Sequence, residues 1–119
     1  MANPLINRGT FLVLRTDGRE EIIEKKPTMR MIAAAIGAET LDTVRIGKAD
    51  GSDLVMVVND NGYETQQVKL APNHFKLECV KPLGAFNDKA TVLYHSICYP
   101  GVTHKIVGDV AIVHDSDFA

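Results

Sequence analysis

Asn87-Asp88-Lys89-Ala90-Thr91-Val92-Leu93-Tyr94-His95, followed through Pro100-Gly101 by Ile106-Val107-Gly108-Asp109-Val110-Ala111-Ile112-Val113, is the most patterned stretch of the 119-residue chain. Asn87 or Asp88 offers a side-chain oxygen to the orphan amides of a first helical turn. Ala90, Leu93, Tyr94 and Ile97 then fall on one helical face, and Pro100-Gly101 ends the helix. Residues 106–113 read as a buried strand interrupted once by a polar group, Asp109, just after Gly108. Glycine inside a strand often marks a bulge, and a bulge would turn Asp109 outward.

The N-terminal side supplies the rest of a sheet. Thr10 to Arg15 is a strand run, Asp17-Gly18 a hairpin signal, and Glu20 to Glu24 a return strand. Thr28 caps a second helix that Gly37 closes, with Met29, Ile32, Ala33 and Ile36 on one face. Leu41 to Ile46 and Leu54 to Val58 are strands joined at Asp50-Gly51. The second is apolar throughout, the mark of a central strand buried on both faces. Asn59-Asp60-Asn61-Gly62 closes it with a tight turn. Tyr63 to Val68 reads as a further strand. Phe75 to Val80 alternates, which places Phe75, Leu77 and Cys79 on one face.

The order is β-β-α-β-β, one or two extra strands, then α-β. Short connections favour antiparallel neighbours. The expected fold is α+β: one mainly antiparallel sheet of about five to seven strands, with two short helices on one face. No linker or repeat divides residues 1–119, so the expectation is one domain, with residues 1–9 a flexible N-terminus and 114–119 a solvated tail.

Composition narrows the function classes. Lys plus Arg number 13 against 15 Asp plus Glu, a formal charge of −2, which lacks the basic excess of a general nucleic-acid binder. It is also far too balanced for an acidic nucleic-acid mimic. No run approaches the roughly 18 apolar residues of a membrane span, and Phe11 to Leu14 is too short for a signal sequence core. Two cysteines, Cys79 and Cys98, suggest reduced thiols and a cytoplasmic setting.

Val57-Val58-Asn59-Asp60-Asn61-Gly62, the Asn87-to-Tyr94 helix and Ile106-Val107-Gly108-Asp109-Val110 together resemble a family of small phage and plasmid proteins, domain of unknown function 3846. That pattern pairs an Asn-acidic turn after a central strand with an Asn-x-x-Ala-Thr helix and a Gly-containing last strand. The resemblance spans residues 28–115 and includes the helix ending at Ile36-Gly37. Two features depart from it: Tyr63 to Phe86 is longer than the short polar link of the pattern, and the N-terminal hairpin is fuller. The resemblance implies a mobile-element setting and a small accessory protein, and it brings no catalytic residues. Small proteins of that setting often bind a host factor, defence systems such as CRISPR effectors included.

Catalytic signatures are absent: the sequence has no nucleophile elbow, phosphate loop or dinucleotide fingerprint. Cys79, His95, Cys98 and His104 have the donor chemistry of a zinc site, but only His95 and Cys98 are closely spaced, so no metal or cofactor is expected. A Cys98–His104 pair leaves a small Cys-dependent enzyme as an alternative. Asp115-Ser116-Asp117 lacks the remainder of a calcium loop. Lys25, Lys26 and Arg30 form a small basic spot.

The candidate binding residues are Asn59, Asp60, Asn61, Asn87 and Asp88, on turns expected at sheet ends where they stay free to make contacts, and Asp109, which a bulge in its strand would turn outward. The expected function is non-enzymatic: binding a host protein in a bacterial cytoplasm, possible as a homodimer formed through sheet edges. The alternatives are sequestration of a nucleotide or other small-molecule ligand, and the metal- or Cys-dependent enzyme.

Overall fold

A computed structural model of the chain describes residues 8–49, 52–98 and 100–117. Its elements are β1 (Phe11–Leu14), β2 (Glu20–Ile23), α1 (Met29–Ile36), β3 (Leu41–Ala49), β4 (Ser52–Asn59), β5 (Tyr63–Ala71), β6 (His74–Pro82), α2 (Asp88–Ile97) and β7 (Val110–His114). The fold is α+β. Five strands form an antiparallel sheet in the order β2-β1-β7-β4-β3, and β5 and β6 form a separate two-stranded antiparallel ribbon. The single sheet expected from the sequence is therefore two. Both extra strands exist, but they pair only with each other.

The last strand of the chain is the middle of the sheet. β7 is buried along its whole length and lies between β1 and β4. Successive strand residues point to opposite faces, and here both faces are apolar. Leu12, Leu14, Leu54, Met56, Val110 and Ile112 pack with Ala90 and Leu93 of α2. Phe11, Val13, Val55, Val57, Ala111 and Val113 pack with Ile32 and Ile36 of α1.

The helices thus cover opposite faces of the sheet. That corrects the expectation of two helices on one face, and the reason is visible in the runs themselves. Phe-Leu-Val-Leu, Leu-Val-Met-Val and Val-Ala-Ile-Val are uninterrupted rather than alternating, so each face needs its own cover.

The caps form as expected. Thr28 Oγ1 accepts the Met31 N–H at 3.1 Å, and Gly37 ends α1 in the left-handed region at φ 68°. The turn at Asp17-Gly18 differs in type. Only Gly18 takes a positive φ, 93°, and Arg15 N–H donates to the Arg19 carbonyl. Thr16-Asp17-Gly18 is thus a three-residue loop with glycine at the left-handed position, not a two-residue turn with both φ values positive. The turn expected at Asp50-Gly51 falls outside the described residues.

Both chain ends differ from expectation where they are described. His114 and Asp117 are buried. Asp117 accepts from the Gly9 amide at 2.7 Å and from Arg8 Nε and Nη2 at 3.2 Å each. His114 and Asp117 are thus held in the fold, with Arg8 and Gly9 tied to Asp117, while Asp115 and Ser116 between them are exposed; residues 1–7, 118 and 119 lie outside the description. Among the described residues, no helix is long and apolar enough to cross a membrane.

Candidate functional site

Among the described residues, a pair of clefts at one end of the large sheet and the ribbon beside them are the surfaces where the expected binding residues and exposed apolar side chains can be placed. The clefts form where the turn after β4 meets the segment leading into β7. Asn59 Oδ1 accepts the Asn61 N–H at 2.9 Å, and Gly62 N–H reaches the Asn59 carbonyl at 3.2 Å, which folds Asn59-Asp60-Asn61-Gly62 into a turn. Asp60 N–H and Asn61 Nδ2 donate to the carbonyl and hydroxyl of Thr40, both at 3.0 Å. Asn61 and Gly62 keep ordinary negative-φ backbone, so this is not the mirror-image Asn-Gly turn.

The first cleft, of about 180 Å³, is lined by Asp42, Asn59, Asp60, Tyr63 and His104, among others. The second, of about 320 Å³, is lined by Thr16, Asn59, Asn61, Gly84, Gly108 and Asp109, among others. They share Asn59, Gly62 and Val107. Four of the six expected binding residues, Asn59, Asp60, Asn61 and Asp109, therefore converge although 48 positions separate Asn61 from Asp109.

Asn87 and Asp88 do not join them. Asn87 is wholly buried: Nδ2 donates to the Leu14 and Gly108 carbonyls at 2.9 and 3.0 Å, and Oδ1 caps α2 through the Ala90 N–H at 3.1 Å. It pins α2 to β1 and to the Gly108 turn. Asp88 is exposed in the first turn of α2, where a negative charge suits the helix dipole.

Asp109 is largely occupied by structure. Gly108, at φ 83°, turns the chain just before β7, which starts at Val110 rather than continuing from Ile106. Asp109 thus precedes the strand instead of bulging from it. One oxygen accepts the Thr16 amide at 2.9 Å and the other accepts Arg15 Nη1 at 2.9 Å. Arg15 also donates to both Glu21 oxygens, at 3.2 and 3.1 Å, and to the Ala35 carbonyl at 2.6 Å. Those bonds, Glu21 foremost and then Asp109, raise the guanidinium pKa, and Arg15 lowers that of Glu21. The network ties β1, β2, α1 and the start of β7 together.

The histidines order the other wall. His95 Nε2 donates to the His104 carbonyl at 2.6 Å; a carbonyl only accepts, so the proton sits on Nε2. The His104 ring lies 5.0 Å from Tyr63 and edge-on to Tyr94 at 6.0 Å. Tyr63 donates its hydroxyl to the Lys105 carbonyl at 2.6 Å. Cys98 hydrogen-bonds Tyr94 and raises the phenol pKa.

Among the described residues, His95, Cys98 and His104 do not assemble as metal donors. His95 meets His104 through a backbone carbonyl, Cys98 is engaged with Tyr94, and the Cys79 side chain lies outside the description. Among the described residues, no three His, Cys, Asp or Glu side chains gather as ligands. The combined cleft linings hold Asp42, Asp60 and Asp109 against one basic residue, His104. Asp109 is already neutralised by Arg15, so the carboxylates that disfavour a phosphate are Asp42 and Asp60 of the first cleft.

The ribbon was the less legible surface. β5 and β6 run nine residues each, about 30 Å of strand, and fit the elongated outline of 50 × 30 × 28 Å. Pro72-Asn73 turns the hairpin, Asn73 at φ 63°, the proline-then-left-handed order of a type II turn. Leu83 N–H donates to the Gly62 carbonyl at 3.0 Å and fastens the ribbon base to the clefts. Leu70, Phe75 and Leu77 are 54, 49 and 72 % exposed. Phe75 and Leu77 share a face, opposite Lys69 and Gln67.

The alternation from Phe75 onward does signal a two-sided strand. The signal missed is that the facing strand, Tyr-Glu-Thr-Gln-Gln-Val, is too polar to build a core layer.

Fold and site define a small α+β protein with a helix on each face of a five-stranded antiparallel sheet, a double cleft of mixed polar and apolar lining at one end, and a projecting ribbon with exposed apolar side chains. No protein-family model, curated protein or solved structure matches the chain.

Proposed function

We propose that the chain is a small non-enzymatic accessory protein that binds and modulates a host protein, and that the β5–β6 ribbon is its binding arm. The observation that carries this reading is the exposure of Leu70, Phe75 and Leu77 on a ribbon that, among the described residues, no other strand joins. A lone two-stranded ribbon is marginal in water, and apolar side chains held out on one gain their burial energy only when a partner covers them. The setting, a phage or plasmid product in a bacterial cytoplasm acting on a host factor such as a defence component, comes from the family resemblance. The ribbon occupies the Tyr63-to-Phe86 stretch that departs from that family's pattern, so target choice is assigned to the part peculiar to this chain.

The test compares capture from bacterial lysate by the wild-type protein and by a Phe75→Ser/Leu77→Ser variant, with mass spectrometry and then direct titration of the captured protein. Loss of a specific partner from the variant supports the reading. Equal capture by both refutes it.

A second reading, sequestration of a small ligand, rests on the convergence of Asn59, Asn61 and Asp109 at the double cleft. Asp42 and Asp60 in the adjoining cleft favour a cationic or neutral polar ligand over a nucleotide. Thermal-shift titration with polyamines and with nucleotides separates the two ligand classes.

A further inference from the structure

The outer edge of β6 has the regularity that self-pairing needs. Between Phe75 and Cys79 the register with β5 is unbroken; one shift leaves Leu70 of β5 as the extra residue and the other leaves Val80 of β6, so both irregularities fall outside this run. Bulges protect an edge from pairing, and a regular run invites it. Among the described residues, β6 has β5 on one side and no strand on the other.

We infer that two copies of the chain join through an antiparallel β6–β6 pairing with its two-fold axis at Leu77. In a symmetric antiparallel pair the numbers of opposed residues have a constant, even sum, because opposed residues must both direct their backbone groups across the junction. Centring on Leu77 sets Leu77 against Leu77 and Lys76 against Glu78 of the second copy, twice over. Within one chain Lys76 Nζ and Glu78 Oε1 already lie 3.1 Å apart, half exposed, on the same face. Across the axis the two pairs become an alternating four-charge cluster.

The alternative edge lacks this match. On β5 the charged residues are Glu64 and Lys69, whose odd sum no symmetric register can oppose. Self-pairing of β6 makes a four-stranded sheet, β5-β6-β6-β5, with two Phe75 and two Leu77 side chains on one face. The pairing goes beyond the host-binding reading and stands without it, since purified protein alone is enough to test it.

The experiment is sedimentation velocity on the wild-type chain, on Lys76→Glu, on Glu78→Lys, and on an equimolar mixture of the two variants, each checked for native circular dichroism. The wild type dimerises at micromolar concentration. Each single variant sets like charges opposite each other at two sites and weakens the dimer about tenfold, the scale set by two reversed cross-strand charge pairs. Mixing restores dimers, because a β6 strand acidic at both positions then faces one that is basic at both.

Rescue on mixing reads pairing between chains; the bond within a chain cannot produce it. A monomeric wild type, single variants that dimerise like wild type, or a mixture no tighter than its components would each overturn the inference. None of those results bears on capture of a host protein.

Discussion

Replacing Asn87 with alanine removes the N-cap of α2 and both donors that hold the Leu14 and Gly108 carbonyls. The cap is worth about 1 kcal/mol. Each neutral hydrogen bond adds about 1 kcal/mol, more if the abandoned carbonyl finds no substitute in the buried site. The expected loss is about 3 kcal/mol, roughly 12 °C in Tm for a chain this long. Asn87→Ser keeps an oxygen for the cap but no paired donors, so it recovers about 1 kcal/mol of that loss.

Asn87→Asp keeps the acceptor and sets a carboxylate against two carbonyls. Its folded pKa rises above the unfolded value, so its penalty is small below the usual carboxylate range and grows as pH rises through the folded pKa. Urea denaturation at acid and neutral pH, with the m-value unchanged, measures all three variants. An alanine variant within about 1 kcal/mol of wild type, or a serine variant as stable as wild type, would refute the pin.

Asp117 titrates in the opposite sense. The Gly9 N–H first, then Arg8 and His114, hold its carboxyl below the ordinary value. Its contribution is complete above the unfolded pKa of about 3.9 and is lost as pH falls through the lowered folded value. Asp117→Asn should therefore flatten the acid limb of the stability curve, and parallel limbs would contradict the assignment.

The glycines divide. Gly108→Ala, at φ 83°, should cost about 1–2 kcal/mol. Gly62→Ala meets Asn59 O and Val107 Cβ at 3.4 Å with no left-handed backbone, and should be neutral or stabilising by up to about 1 kcal/mol. Thermal melts of the pair check the contrast. Phe75→Ser/Leu77→Ser, on exposed positions, should leave monomer stability within about 0.5 kcal/mol of wild type by denaturant titration; a larger loss would make the ribbon face structural.

The helices, their caps and the strand runs were legible because each rests on local chemistry: Thr28 and Asn87 cap, Gly37 closes, and β-rich runs lie between turns. The helix placement was legible in principle, since Leu54 to Val57 announces two buried faces, yet it required combining three strands that are distant in sequence. The partition into two sheets was not legible. Residues 63–82 have ordinary strand periodicity, and only their failure to find a partner layer sets them apart.

At the site, Asn59, Asp60 and Asn61 were found through turn chemistry, and Asp109 through its interruption of an apolar run. Their convergence depends on β4 and β7 pairing antiparallel, which no local pattern encodes. Asn87 was legible as a cap, but its second task, holding two carbonyls from other segments, emerges only in three dimensions.

The most direct test of the central claim is the equilibrium affinity of the captured host protein for three purified forms: wild type, Phe75→Ser/Leu77→Ser, and the cleft variant Asn61→Ala. Truncating two central apolar anchors costs roughly 2–4 kcal/mol of binding, so the ribbon variant should bind about a hundredfold more weakly, with the cleft variant equal to wild type. Unchanged affinity in the ribbon variant together with a large loss in Asn61→Ala would contradict the account and move the function to the cleft.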